Sequence, residues 1–116
     1  LFISIHQNSS TVSSVKGVEV FYSSANPNNG NAYSYKLNKS MQLARNISSA
    51  LSNLIQTNNR GAKDEDFYVV KNPIMPSILI DSGFISNYDA AKKLVNSVNQ
   101  QKIAETIANE VLKSIN

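Results

Sequence analysis

The sequence of 116 residues has no cysteine, one histidine, three prolines and four glycines. Without cysteine there are no disulfide staples, no thiolate zinc site and no thiol nucleophile. A single histidine leaves no HExxH or HxH pair, and one imidazole falls at least two ligands short of a metal site. Four glycines with no GxGxxG or Walker pattern leave no loop to cradle phosphate. Serine is abundant, yet no G-x-S-x-G elbow occurs. Charge is scarce at 16%, against roughly 25% in soluble domains. Eleven basic and eight acidic residues give a net +3, and the nine Lys and two Arg are scattered. They form no stripe, so charge gives no nucleic-acid footprint. No apolar run approaches the ~18–20 residues of a membrane span.

What is present is enough to fold. A hydrophobic fraction of 41% supports a packed core, and the length fits one domain with no linker. The chain opens directly on the apolar run Leu1–Ile5, from which we expect strand partners upstream. Leu1–Ile5 reads as a buried strand and Gly17–Tyr22 as a second, in which Val18, Val20 and Tyr22 alternate with Glu19 and Phe21. The turn formers around Asn26–Asn31 make Ser23–Tyr35 a long loop. Leu37, Met41, Ala44, Ile47, Leu51 and Leu54 then recur at helical spacing. Asn58–Gly61 supplies the stop. Phe67–Val70 and Ser77–Asp81 read as the third and fourth strands, Tyr88–Val98 and Lys102–Ile115 as two further helices. The order β-β-α-β-β-α-α predicts an α/β fold with a single sheet.

Two residues stand where such sheets place chemistry, at the carboxyl ends of apolar strands. His6 follows Leu1–Ile5, and Asp81 closes Ser77–Asp81. Flanked by Ile78, Leu79 and Ile80, the Asp81 carboxylate would be partly desolvated and its pKa raised toward that of a useful base. The plainer alternatives are a hydrogen-bonded structural histidine and a turn-capping aspartate. Asp64-Glu65-Asp66 reads as a solvated turn, and Glu19 as facing solvent or a neighbouring strand.

The segments LFISIHQN (Leu1–Asn8), GVEVFY (Gly17–Tyr22), RGAK (Arg60–Lys63) and MPSILIDSGFISN (Met75–Asn87) occur in an order and at separations that resemble one family. It is the zinc-dependent N-acetylmuramoyl-L-alanine amidases of bacterial autolysins, sporulation hydrolases and phage endolysins. The resemblance runs from the first residue to the last helix. It implies a mostly parallel sheet flanked by helices, of which residues 1–116 would be the carboxyl-terminal two-thirds, with amino-terminal strands and a helix upstream. It also implies hydrolysis of the amide between N-acetylmuramic acid and L-alanine of peptidoglycan, outside the cell or in its wall.

In that family Zn²⁺ is held by two His and a Glu, and it polarises the carbonyl and acidifies a bound water. His6 matches the second zinc histidine; the other His and the Glu would lie upstream. Asp81 matches the catalytic Glu but is shorter by one methylene, about 1.5 Å, where a displacement of about 1 Å can cost ~10²-fold. Asn8 would steady the site through its amide. Arg60 and Lys63 would face the anionic stem peptide, or else complement the dipole at a helix carboxyl end. The Ser23–Tyr35 loop would border the cleft, with Tyr33 and Tyr35 as sugar-stacking faces. The alternative function is a peptidoglycan-binding relative that does not hydrolyse.

Overall fold

The computed structural model describes residues 1–115. Its elements are β1 (Phe2–Asn8), β2 (Val18–Tyr22), α1 (Tyr33–Ile55), β3 (Asn59–Asp64), α2 (Tyr68–Lys71), β4 (Ser77–Phe84), α3 (Tyr88–Leu94) and α4 (Ser97–Ser114). The four strands form one sheet in the order β1-β4-β2-β3. The β1–β4 and β2–β3 pairs are parallel and the β2–β4 pair is antiparallel, so the sheet is mixed but mostly parallel. The expected α/β class is the observed one.

One face of this sheet is dry. Val18 and Val20 of β2 and Ile78 and Ile80 of β4 are completely buried beneath Leu43, Ala44, Ile47 and Leu51 of α1. Those four helical residues recur at the three- and four-residue intervals that line one side of a helix. Ile103 and Ile107 of α4 join the same core. Helix α1 ends at Gln56, which takes the left-handed conformation at φ 52°, two residues before the expected stop.

The difference there has a physical cause. Asn58–Gly61 is the way into a strand, because Asn59–Asp64 pairs with β2 along its length. With Ala62 as its one core-facing residue, β3 carries no apolar alternation to reveal it. It is a sheet edge, and charged side chains are how such edges avoid pairing with other chains.

Phe67–Val70, expected as a strand, instead enters the short helix α2. Its β-branched and aromatic content was outweighed by tertiary contacts. The Glu65 amide donates to the Tyr22 carbonyl at 2.8 Å, and Ser23 Oγ donates to Asp66 at 2.8 Å. The chain therefore turns off the sheet and lays Phe67 edge-on against Phe21, with ring centroids 5.1 Å apart. Asp64 thus ends β3, and Glu65 and Asp66 form the exposed connection after it, solvated as expected but tied to Tyr22 and Ser23. The last strand also runs further than expected, through Gly83 and Phe84.

Candidate active site

Strand pairing sets three side chains in one row across the sheet. His6 on β1 is the register partner of Asp81 on β4, and Asp81 is the register partner of Glu19 on β2. Register partners point to the same side of a sheet. Ile80 and Val20, one step along, face α1, so this row lies on the opposite face. His6 is exposed, whereas Asp81 is 7% and Glu19 4% exposed.

Of the two expected settings, solvent or a neighbouring strand, Glu19 takes the second and is buried against it. Its carboxylate accepts three hydrogen bonds: from Asn8 Nδ2 at 2.9 Å, from Arg60 Nε at 3.1 Å and from Lys63 Nζ at 2.6 Å. The Arg60 guanidinium also lies 5.1 Å from the centre of the Phe84 ring, within cation–π range. Arg60 and Lys63 therefore complement a buried carboxylate from β3 and do not cap a helix. Burial pushes the Glu19 carboxyl up, but the hydrogen bonds and charges of Lys63 and Arg60 outweigh it and hold it below its ordinary value.

Asp81 goes the other way. Burial raises its pKa, the nearby Glu19 charge raises it further, and His6 opposes both weakly. Two carboxylates in one row are thus driven apart, one fixed as an anion and one inclined to keep a proton. That separation is a common way to equip a site for proton transfer.

Gly17 holds the amino ends of β2 and β3 together. Its φ of +136° is open to glycine, and a Cβ there would lie 2.7 Å from both the Asn58 carbonyl oxygen and Arg60 Cγ. By contrast, Tyr33 and Tyr35 sit at the Ser77 end of β4, away from the row. Tyr33 donates its hydroxyl to the Ser24 carbonyl, and Lys36 one turn on donates to the Lys71 and Pro73 carbonyls. The Ser23–Tyr35 loop does not border the row.

Glu19 is the residue the sequence reading passed over. The signal was its place inside Val-Glu-Val-Phe-Tyr, a near-continuous apolar strand of the kind buried on both faces. A charge there has to be paired.

As a zinc site the donor set is incomplete. Among the described residues no three His, Cys, Asp or Glu side chains come together to hold a metal. His6 offers one imidazole, and Glu19 is already committed to three donors.

The fold is thus an α/β domain whose parallel strands β1 and β4 set an imidazole beside a buried carboxylate of raised pKa. Comparison with known proteins is more specific. The family model for N-acetylmuramoyl-L-alanine amidase matches residues 1–113, and the chain belongs to that family. It is 40% identical over 111 residues to the uncharacterized protein YqiI of Bacillus subtilis, covering 96% of this chain and 49% of YqiI. It is 36% identical over 107 residues to the N-acetylmuramoyl-L-alanine amidase LytC of the same organism, covering 92% of this chain and 20% of LytC. The CwlD amidase of Clostridioides difficile, solved in complex with the GerS lipoprotein, superposes with a TM-score of 0.81 at 32% identity. That match covers 98% of this chain and 53% of CwlD. The chain thus spans about half of the length of YqiI and CwlD and a fifth of LytC.

Proposed function

We propose that this chain forms the carboxyl-side part of an amidase catalytic domain that hydrolyses the bond between N-acetylmuramic acid and L-alanine in peptidoglycan. The observation that carries the reading is the His6–Asp81–Glu19 row on a fold shared with amidases over nearly the whole chain. Asp81 takes and returns the proton of the hydrolytic step, since burial and the Glu19 charge favour its protonated form. His6 would give one imidazole to a zinc ion, which would polarise the scissile carbonyl, with its other ligands supplied from outside the described residues. Asn8, tied to Glu19, steadies the end of β1. Arg60 and Lys63 carry one more charge than Glu19 cancels, and their side chains stay 36% and 39% exposed. They give the row a cationic rim toward the carboxylates of the stem peptide.

The remainder of the domain has a place to pack. β1 is a sheet edge with Phe2 and Ile5 exposed. An apolar hollow of about 540 Å³ opens beside it, between Ile5 and Ile85 and the Leu94, Ile103 and Ile107 side chains. A further relative, LytH of Staphylococcus epidermidis, is named a probable cell wall amidase, so we place the activity outside the cell or in the wall; among the described residues no helix is long and apolar enough to cross a membrane.

The test is release of free L-alanine amino groups from purified muramyl peptide by the complete polypeptide. His6→Ala is expected to abolish release and to lower bound zinc in a chelator competition. Asp81→Glu, which restores the reach of the family's side chain, is expected to raise the rate. Tight binding to peptidoglycan with no release in any variant would replace the enzyme by a binding module.

A further inference from the structure

We propose that Glu19 is the positioning residue of this site: its carboxylate ties the end of β1 to β3 and thereby fixes where His6 and Asp81 stand. The inference rests on the reading of the row as catalytic, but the geometry that carries it is separate. Among the described residues β1 pairs with β4. Its pairing is regular from Phe2 to His6 and then slips, so that Asn8 meets Phe84 instead of continuing in step. His6 is therefore the last residue before an irregularity in the pairing. Beyond it β1 is held to β4 and its continuation by the Ile85 amide donating to the Asn8 carbonyl at 2.8 Å and by Gln7 Nε2 donating to Ser82 Oγ at 3.3 Å.

Glu19 adds a charged, side-chain restraint from two strands away. It reaches across β4 to accept from Asn8 Nδ2 at 2.9 Å, two residues beyond His6. Its own position is set from the other side by Arg60 Nε and Lys63 Nζ of β3. With the Glu19 side chain 5% exposed, these three donors occupy the carboxylate and leave it no free motion toward solvent. Asp81 lies between, in register with both Glu19 and His6. One carboxylate thus links β1 to β3 across β4, and a shift in it is passed to the His6 end of the row.

Glu19→Gln separates positioning from bulk. It keeps the shape but presents one acceptor oxygen to three donors. In the complete polypeptide, kcat is expected to fall about 10- to 100-fold with KM within about twofold, the size of effect that sub-ångström misplacement produces. The ring signals of His6 in the nuclear magnetic resonance spectrum, assigned against His6→Ala, are expected to move. Asn8→Ala, which leaves Glu19 paired with both cations, is expected to lower kcat several-fold and to move the same signals.

An unchanged kcat in Glu19→Gln overturns the proposal, as does a lowered kcat with His6 signals where they stand in the wild type. Should Glu19→Gln not fold, Asn8→Ala decides by the same two readings. Should the wild type release no alanine at all, the proposed function falls while the His6 signals still decide the positioning claim.

Discussion

The two faces of β2 and β4 make opposite uses of the same backbone. Toward α1, Val18, Val20, Ile78 and Ile80 form a dry layer in which any one residue is held by many neighbours. On the other face, one step along each strand, Glu19 and Asp81 are nearly as buried, and Glu19 is held by three directed contacts. Apolar packing is additive and non-directional, so it makes the fold stable without fixing any one atom finely. Hydrogen-bonded charge is directional and is costly when a partner is lost, so it fixes atoms and adds little net stability. The first face makes the domain; the second makes the site.

Substitutions should pull the two faces apart. The largest effect on stability belongs to the dry face: Ile80→Ala empties a fully buried position and is expected to cost about 2–5 kcal/mol in chemical denaturation. A loss below about 1 kcal/mol would mean that the layer closes over the gap. Next comes acid. Because the folded state holds the Glu19 carboxyl below its ordinary 4.5, its stabilising contribution is complete above that value and is lost as pH falls through the lowered one. Wild type should therefore lose melting temperature below about pH 4.5 more steeply than Glu19→Gln. Parallel curves would place the acid sensitivity elsewhere.

Asp81 should show the reverse sign. Its pKa is raised in the folded state, so its contribution is complete below 3.8 and is lost as pH rises through the higher folded value. Asp81→Asn is then expected to melt a few degrees higher than wild type at neutral pH in metal-free protein, with the gain gone in acid. A lower melting point at pH 7 would show that the charged form is welcome there. Smallest of all, Lys113→Ala removes an exposed pair with Glu110 and should change stability by less than about 0.5 kcal/mol.

The same division explains what could be read from the sequence. Helices α1 and α4 and strands β2 and β4 announced themselves because Ile47, Leu51, Ile103, Ile107, Val20 and Ile80 recur with the period of the element that buries them. The polar strand β3 could not, since its existence depends on Arg60 and Lys63 meeting a carboxylate 41 and 44 positions away in the chain. Phe67–Val70 misled for the mirror-image reason, its strong β propensity yielding to the turn fixed by Ser23 and Asp66. His6 and Asp81 were visible as residues closing apolar runs, and Asn8 through the family resemblance. Their partner Glu19 became visible only when pairing put β2 beside β4.

Gly17 lets this arrangement bear on inheritance. The backbone of β3 crosses so close to it that a methyl group would press on Asn58 and on the stem of Arg60. A side chain arising at position 17 would push Arg60 away from Glu19 without touching the row or emptying the core. Surveys of natural variation would then find a position outside the row behaving as though it belonged to the active site, intolerant even of alanine while the exposed residues around it drift freely.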